Sequence, residues 1–371
     1  MIDDFDEYIR QGEPSQIEKS QLWQTAIGLQ QVDGLTPSAY LIETAKENIE
    51  GKITIDEVKF RIDSYYKQQT NRQKADDDRT EEADKVSANI TELLSEQTFS
   101  FSPAELLSIH KRLCTGVESI RVKVGKIRDY NITKNEWVLN GKTVLYASAD
   151  TISATLDYDF LQEKNFNYKG LSKQEIVEHI AKFISGLWQI HAFGEGNTRT
   201  IAVFTIKYLR SFGFEVENEL FASHSWYFRN ALVRANHNDY LNKIFSTNEY
   251  LMRFFGNLLL GENNELKNRH LRIEASTEVV ENQSVTLNIN SGGQKTDLGG
   301  QKKWSEKVVR LFNLIVENPA ITRKELSDML GINPSAVQKH IDKLKNEGVI
   351  SRQGSDKKGV WKVTTKGDSN E

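Results

Sequence analysis

The chain has 371 residues, of which 38% are hydrophobic and 27% are charged. At roughly one domain per 150 residues, this length predicts two or three domains. No stretch approaches the ~18 uncharged apolar residues of a membrane span. The acidic residues 1–6 do not resemble a secretory or transit peptide. With Cys114 as the single cysteine, an intramolecular disulfide and a cysteine metal cluster are excluded, and we expect a cytoplasmic protein without a membrane partner.

The net charge of -4 is unevenly distributed. Residues 301–362 contain 13 Lys and Arg against 7 Asp and Glu, so this part carries +6 and the remainder -10. A basic C-terminal part is suited to contact a polyanion, whereas the acidic remainder is not.

Residues 1–66 have the apolar spacing of several helices. One amphipathic run breaks at Asp33-Gly34, and Ser38 is a predicted N-cap of the next helix. The polar residues 67–84 that follow are predicted to be a linker or an exposed helix.

Residues 85–262 are predicted to form a helical bundle. Ser102 and Ser172 precede apolar helical runs as N-caps, and Glu105 takes the capping-box position after Ser102. The strongly apolar runs 176–190 and 200–212 are joined by a glycine-rich loop and should lie at the centre of the bundle.

One segment of this region has the alternation of a β-hairpin. Residues 135–139 and 142–147 flank Asn140-Gly141, a strong signal for a two-residue hairpin turn. The sequence therefore predicts a mainly α fold in which the bundle carries one hairpin.

The C-terminal part is predicted to be a separate small domain. Residues 263–303 are rich in polar residues and glycine, which indicates a linker, and residues 304–365 show three helices and a two-stranded wing. This winged helix-turn-helix is a candidate for DNA binding, or alternatively for protein binding or dimerisation. The predicted DNA contacts are Ser335, Gln338, Lys339, Lys343, Arg352, Lys357 and Lys358.

The loop at residues 191–199 has the residues of an anion site. A helix starting near Asn197 or Thr198 leaves backbone N–H groups free and places the positive end of its dipole there. Gly194 and Gly196 allow close approach and unusual dihedral angles, and Arg199 can grip a phosphate in a bidentate manner.

Two further residues of the loop suggest chemistry. Glu195 supplies one carboxylate, and one carboxylate plus substrate phosphates is the usual arrangement for Mg²⁺. His191 is a candidate general base near neutral pH, and Phe193 is expected to anchor the loop.

This loop resembles the Fic family signature, His-x-Phe-x-(Asp/Glu)-Gly-Asn-(Gly/Lys)-Arg. The matching residues are His191, Phe193, Glu195, Gly196, Asn197 and Arg199. A chance match is on the order of 10⁻⁵ for a chain of this length. Thr198 departs from the pattern, because Gly or Lys is usual there. The resemblance extends over about residues 85–262 and implies a Fic helical bundle.

The resemblance implies a protein adenylyltransferase with ATP and Mg²⁺ as cofactors. His191 would deprotonate the target hydroxyl, whose oxygen attacks the α-phosphorus of ATP while pyrophosphate leaves. Glu195 would hold Mg²⁺. The ATP-binding residues would be Gly194, Gly196, Asn197, Thr198 and Arg199.

The hairpin would correspond to the family's flap, which pairs with the backbone of the target protein. Its target-binding residues would be Trp137, Val138, Leu139, Thr143, Val144 and Leu145. Upstream of it, Gly125 and Arg128 resemble the Gly-x-x-Arg that family members carry there.

The N-terminal segment resembles the small helical antitoxins that partner Fic toxins. In these, the Glu of a Ser/Thr-x-x-x-Glu-Gly helix pairs in the ATP site with an Arg three residues after the signature Arg. Here Asp33 and Gly34 align with Glu-Gly, Leu29 replaces the hydroxyl residue and Ala202 replaces that Arg. We expect weak or rewired inhibition. A second register uses Glu50-Gly51, and the alternative is that the segment is only a helical cap.

The sequence thus leaves several functions open. The first is transfer of AMP from ATP to a Ser, Thr or Tyr hydroxyl of a target protein or of the chain itself. The second is a nucleotide-sensing, DNA-binding transcription regulator with a non-catalytic Fic domain. Another nucleotide donor, or removal of AMP, would use the same residues. The expected partners are ATP, a target protein, DNA and a second copy of the chain.

Overall fold

The computed structural model describes residues 5–68, 74–117, 120, 124–214, 216 and 219–273. In the C-terminal part it describes residues 308, 311–312, 314–315, 318–319, 321–330, 334–346, 350–353 and 360–363. The chain divides into two compact units, residues 1–284 and 285–371, so their boundary lies within the predicted linker 263–303. The predicted mainly α class is confirmed. Among the described residues, no helix is long and apolar enough to cross a membrane.

The first unit is built from helices in its described parts. The α-helices are α1 (Asp6–Gln11), α2 (Pro14–Gly28), α3 (Ala39–Ile49), α4 (Ile55–Gln68), α5 (Lys74–Ser95), α6 (Pro103–Cys114), α7 (Ile152–Lys164), α8 (Lys173–Ile190), α9 (Asn197–Ser211), α10 (Glu219–Ala235) and α11 (Glu249–Leu260). The 3-10 helices are Leu29–Asp33, Trp137–Leu139, Tyr240–Asn242 and Asn268–Leu271. The predicted N-caps Ser38, Ser102 and Ser172 are confirmed, since each side chain accepts a first-turn N–H.

The N-terminal helices are part of this unit rather than a separate body. Trp23, Leu41 and Ile62 form a small apolar cluster that also includes Ala88 of α5. The other face of α2 is buried in the main core of the unit through side chains that include Leu22. The segment is therefore packed on two sides.

Residues 74–84, predicted as part of a linker or exposed helix, are the first turns of α5. Asp84 is fully buried and accepts hydrogen bonds from Ser38 N–H (2.8 Å), Ser38 Oγ (2.5 Å) and Tyr66 Oη (2.6 Å). Burial raises the pKa of Asp84, the three donors notwithstanding. This carboxyl group joins α5 to the N-terminal helices and explains why the polar segment is ordered.

The centre of the unit is α9, which is buried from Asn197 to Leu209. Lys207 of this helix donates to the carbonyl oxygens of Leu93 and Glu96 (2.9 Å each) at the end of α5. The last carbonyls of a helix lack a partner within it, so the lysine satisfies their hydrogen-bonding capacity and binds α9 to the end of α5.

The close crossing of α2 and α10 depends on Gly28. A Cβ atom at this position would lie 2.2 Å from the carbonyl oxygen of Ala222, which real side chains do not tolerate. Ser225 Oγ also donates to Gly28 O at 2.7 Å. The glycine therefore fixes where the following 3-10 helix, Leu29–Asp33, reaches the centre of the unit.

The predicted β-hairpin at residues 135–147 is wrong in its strands but correct in its turn. Asn140 and Gly141 have positive φ angles of 54° and 81°, as a type I′ turn requires. In the described residues of this segment the ordered element is the 3-10 helix Trp137–Leu139, whose last two side chains are fully buried. A strand would direct two consecutive side chains to opposite faces, whereas a helical turn buries both.

The second unit contains α12 (Arg323–Leu330), α13 (Pro334–Asn346), and an antiparallel pair of strands, β1 (Ile350–Gln353) and β2 (Val360–Val363), in which Ile350 is opposite Val363. Trp361 is buried, and its Nε1 donates to Ile321 O at 3.1 Å. The second and third helices and the wing are thus confirmed. Most of the predicted helix 304–316 lies outside the described residues.

Candidate functional site

The loop between α8 and α9 begins at His191, which has the left-handed backbone angles φ 50° and ψ 57°. Such angles are uncommon for a residue other than glycine. Arg128 supports them, because its Nε donates to His191 O (2.8 Å) and its Nη2 to Ala147 O (2.5 Å). The guanidinium also places a positive charge at the C-terminus of α8, where the helix dipole favours it.

The imidazole of His191 is buried, with 2% of its surface exposed. Its Nδ1 lies 3.3 Å from the carbonyl oxygen of Trp188. Because a carbonyl only accepts, this contact assigns the hydrogen to Nδ1 and leaves Nε2 with its lone pair. Nε2 is buried and has no hydrogen-bond partner among the described residues.

The pKa of His191 is lowered well below its usual value. Burial is the main cause, and the positive charge of Lys134 adds to it, while the hydrogen bond to Trp188 opposes it. The imidazole is therefore neutral near pH 7 and has one free proton acceptor.

Side chains close the loop from inside. Asn197 accepts from Phe193 N–H (2.9 Å) and donates to Phe193 O (2.7 Å). The Phe193 ring stacks on His110, with ring centroids 3.8 Å apart and planes 1° apart. The predicted anchoring role of Phe193 is consistent with this packing. His110 is fully buried, and burial lowers its pKa to about 4.

The N-terminus of α9 faces the loop without a side-chain cap. Gly196 precedes it with φ 70°, and a Cβ atom there would lie 3.5 Å from Cys114 Sγ. Of the two loop glycines, Gly196 alone takes a positive φ, so the unusual dihedral angle predicted for Gly194 is absent. Thr198 accepts a hydrogen bond from Trp188 Nε1 at 3.0 Å, which gives this departure from the signature a packing reason.

Arg199 is buried, with 2% exposed, and it is held by acidic side chains. Its Nε lies 2.8 Å from Asp33 Oδ2 and its Nη2 lies 2.7 Å from Glu82 Oε1. Its Nη1 donates to Gln30 Oε1 at 3.1 Å. Burial alone would lower the pKa of Arg199, but Asp33 and Glu82 raise it overall. We refer to Asp33 and Glu82 as the acidic pair.

Asp33 lies at the site, as the first register of the antitoxin resemblance predicts. Its partner, however, is not the one that the resemblance implies. Asp33 contacts the signature arginine itself, whereas residue 202 is the buried Ala202. Gly34 ends the 3-10 helix with φ 66°, and Arg79 Nη2 donates to its carbonyl oxygen at 3.0 Å. The second register is not at this site, because Glu50 accepts from Tyr8 Oη (2.6 Å) on the N-terminal helices.

Glu82 is a site residue that the sequence did not reveal. Glu82 lies in residues 67–84, which the sequence predicts to be a linker or an exposed helix, although Ala83, Val86 and Ile90 share one apolar helical face. That spacing signals the helix but not its partner, because Arg199 lies 117 residues further along the chain.

The side chain of Glu195 is exposed at the rim of the loop. Its pKa is raised, first by partial desolvation and then by the negative charge of Glu82, while Lys134 and Arg199 oppose the shift. A cation near Glu195 would relieve this repulsion, so the donor set suits one Mg²⁺ bound through a single carboxylate and phosphate oxygens.

A cavity of about 620 Å³ adjoins Asp33. It is lined by Gln31, Val32, Asp33, Gly34, Ser223, His224, Trp226, Tyr227, Arg229 and Asn268. The guanidinium of Arg229 lies 5.0 Å from the ring centroid of Trp226 and 2.7 Å from Glu136 Oε2. These α10 residues lie outside the loop signature, and no local pattern in the sequence singled them out.

The predicted target-binding residues separate into two groups. Val138, Leu139 and Val144 are buried and cannot contact a partner, whereas Trp137 and Leu145 are 43% and 60% exposed. These three buried side chains are part of the apolar core of the first unit. Thr143 is half-buried, and its Oγ1 accepts from Lys134 N–H at 3.0 Å.

In the second unit, the predicted DNA contacts have different surroundings. Lys339 is exposed and Lys343 is half-buried on α13. Gln338, the predicted base reader, is bound to Arg323 (2.6 Å) and Asp342 (2.7 Å). Arg352 lies over the Trp361 ring at 4.5 Å.

Three of the predicted contacts are not described at the side-chain level. Ser335 lies in the first turn of α13, but the surroundings of its side chain are outside the described part of the chain. Lys357 and Lys358 lie wholly outside the described residues.

Comparisons with known proteins address both units. Residues 100–209 match the model of the Fic/DOC family, and residues 306–351 match that of winged helix-turn-helix DNA-binding domains. No curated protein matches the chain.

Two solved structures resemble the chain at low identity. A Fic family protein from Desulfovibrio desulfuricans G20 has 13% identity and a TM-score of 0.44, over 100% of this chain and 95% of that one. A Fic domain containing signaling protein from Bacteroides thetaiotaomicron VPI-5482 has 14% identity and a TM-score of 0.35, over 72% of this chain and 100% of that one.

The loop with His191 and Arg199 lies inside the range of the first family model, and α12, α13 and the start of β1 lie inside the second. The sequence signature, the helical context and the family models agree. Residues 100–209 are thus part of a Fic/DOC domain, and residues 306–351 are part of a C-terminal winged helix-turn-helix domain.

Proposed function

We propose that the Fic domain transfers AMP from ATP to a hydroxyl group of a protein. The observation that carries the proposal is the pairing of a neutral imidazole on His191, whose Nε2 has no partner among the described residues, with an uncapped helix N-terminus that begins six residues later and contains Arg199. A proton acceptor beside an anion site is what attack of a hydroxyl on a phosphate requires.

In this proposal, His191 Nε2 accepts the proton of the target hydroxyl. The oxygen forms a bond to the α-phosphorus of ATP, the bond from that phosphorus to the bridging oxygen breaks, and pyrophosphate leaves. The Trp188 carbonyl keeps Nδ1 protonated and so directs the lone pair of Nε2 toward the reacting oxygen. A Ser, Thr or Tyr side chain fits this step equally.

The phosphates would bind at the start of α9. Backbone N–H groups of Asn197 and Thr198 would donate to phosphate oxygens, and Arg199 would neutralise the β-phosphate. Mg²⁺, when bound at Glu195, supplies charge neutralisation of the phosphate oxygens. The buried loop walls exclude water and strengthen these interactions.

The cavity beside Asp33 suits the nucleoside part of the substrate. Its volume of about 620 Å³ is in the range of small-molecule pockets, and Trp226 and Arg229 offer flat surfaces for stacking of a base. Asp33 lies on the cavity wall and also contacts Arg199. One ligand can therefore occupy both the cavity and the phosphate site at Arg199 only if Asp33 moves.

The acidic pair therefore supports an inhibitory role for the N-terminal segment. Two carboxylates occupy the guanidinium that the proposed phosphate site needs, and a phosphate must displace at least one of them. The absence of an Arg at position 202 does not prevent this, since Asp33 uses Arg199 instead. Inhibition here is a competition for one cation.

A second activity, binding of DNA by the C-terminal unit, is supported by the winged helix match at residues 306–351. The exposed Lys339 and the half-buried Lys343 on α13 are positioned on the helix that such domains place in the major groove. Because Gln338 is engaged within the domain, we propose contacts to phosphates rather than to bases as the main source of affinity.

Replacing the proposed base should remove transfer. We expect His191→Ala to lower the rate of protein labelling from ATP labelled at the α-phosphate by about 10²–10⁴-fold, which is the usual contribution of a general base. His270→Ala, which changes an exposed histidine, is the control. Labelled ATP, GTP, CTP and UTP are compared to identify the donor. Equal labelling by wild type and His191→Ala would remove the histidine from the mechanism.

The pH dependence of kcat/KM should reflect the lowered pKa of His191. The base is lost only when the imidazole is protonated, and protonation begins at a pH below its usual range. We expect a constant rate from pH 8 to 6.5 and a decline only at lower pH. ATP binding is measured at each pH as the control. An acid limb with its midpoint at or above pH 6.5 contradicts the assignment.

Removing the charges of the acidic pair should favour nucleotide binding. We expect Asp33→Asn and Glu82→Gln each to lower the KM for ATP about tenfold, if each pairing opposes binding by about 1.4 kcal/mol. Glu81→Gln is the matched control, because Glu81 neighbours Glu82 but pairs with Lys85 (2.9 Å). Unfolding temperatures are recorded for all variants. An unchanged KM for ATP in the variant that combines Asp33→Asn with Glu82→Gln argues against competition for Arg199.

DNA binding by the whole chain should depend strongly on salt. We expect the logarithm of the affinity for a duplex of mixed sequence, measured by fluorescence anisotropy, to fall linearly with the logarithm of salt concentration. Lys339→Ala should reduce the slope by about 1, whereas Lys173→Ala on α8 should leave it unchanged. Affinity that is independent of salt is incompatible with this proposal.

A further inference from the structure

His110 on α6 makes contacts that no step of the proposed reaction uses. The side chain is fully buried, and both ring nitrogens have partners. Gly125 N–H donates to Nδ1 at 2.9 Å, and Nε2 lies 3.2 Å from the carbonyl oxygen of Glu195. Cys114 Sγ lies 3.6 Å from the same Nε2.

These contacts determine the tautomer of the ring. A backbone N–H can only donate, so Nδ1 must be the unprotonated nitrogen, and the hydrogen resides on Nε2. A carbonyl can only accept, so Nε2–H donates to Glu195 O. The neutral imidazole therefore links the backbone at Gly125 to the backbone at Glu195 with both hydrogen bonds satisfied.

The same short segment reaches the other end of the loop. Three residues after Gly125, Arg128 donates to the carbonyl oxygen of His191. The segment 125–128 thus contacts the first residue of the loop directly and the fifth through His110. The Phe193 ring, stacked on His110 at 3.8 Å, supports the residue midway between them.

We propose that His110 is a positioning residue that fixes the position of the Glu195 backbone relative to that of His191. In this way it sets where the carboxylate of Glu195 stands when it holds a divalent cation against phosphate oxygens. The role of the cation rests on the proposed function, whereas the holding of the loop does not. His110 itself does not touch the reacting atoms, because its ring is fully enclosed.

Three substitutions of His110 test the two hydrogen bonds of the ring separately. His110→Gln retains a donor at about the position of Nε2, His110→Asn retains only an acceptor at about the position of Nδ1, and His110→Phe retains the stacking alone. Ile109→Val, a buried neighbour on α6 outside the loop, is the control for a simple loss of stability.

The first measurement is hydrogen–deuterium exchange of the amides at residues 191–199 in the full chain without nucleotide. We expect exchange about tenfold faster in His110→Asn and His110→Phe, near wild-type exchange in His110→Gln, and no change in the loop of Ile109→Val. Unfolding temperatures identify any general loss of structure. Wild-type loop exchange in His110→Asn and His110→Phe overturns the proposal.

The second measurement is calorimetric titration of MgCl₂ in the presence of ATP. We expect about tenfold weaker apparent Mg²⁺ affinity in His110→Asn and His110→Phe, with recovery in His110→Gln, as for other residues that orient a metal ligand. Unchanged Mg²⁺ affinity in these variants overturns the link to Glu195. If the wild-type chain binds no ATP with MgCl₂, the proposed function fails, while the exchange measurement still decides whether His110 holds the loop.

Discussion

The buried positive charge of Arg199 constrains the first unit more than any other single group. A guanidinium with 2% of its surface exposed must be paired, because an unpaired buried charge is strongly unfavourable. Asp33 and Glu82 supply the pairing from two different elements, the 3-10 helix after α2 and the first half of α5. The ion pairs therefore join α9, α5 and the N-terminal segment. In the proposed function, phosphate binding depends on the same side chain as these ion pairs, so the resting arrangement would oppose nucleotide binding.

Local features of the site and fold were largely accessible from the sequence. The caps at Ser102 and Ser172, the loop between two apolar helices and the helices and wing of the C-terminal unit follow from spacing over a few residues. The Asn140-Gly141 turn was accessible for the same reason. Its flanking strands were not, since residues 137–139 form a 3-10 turn that places Val138 and Leu139 in the apolar core.

Long-range pairs could not be read from the sequence. Nothing near Glu82 indicates that its partner is Arg199, and nothing near His110 indicates contact with Glu195, 85 residues later. The lowered pKa of His191 also depends on distant parts of the chain. Folding buries the imidazole and brings the positive charge of Lys134 close to it. The motif thus indicated the candidate site residues, whereas the groups that surround them come from distant parts of the chain.

The packing of α2 on α10 at Gly28 limits how the proposed inhibition can be relieved. A separate antitoxin protein can dissociate, be degraded or fall below the amount of its toxin. Here the N-terminal helices share the apolar core, so their removal would expose the interior of the first unit. If this segment inhibits as proposed, the ratio of inhibitor to catalytic domain is one in every molecule and does not change on dilution. If Asp33 inhibits as proposed, a rearrangement of the 3-10 turn that carries it could relieve the inhibition while α2 stays packed on α10.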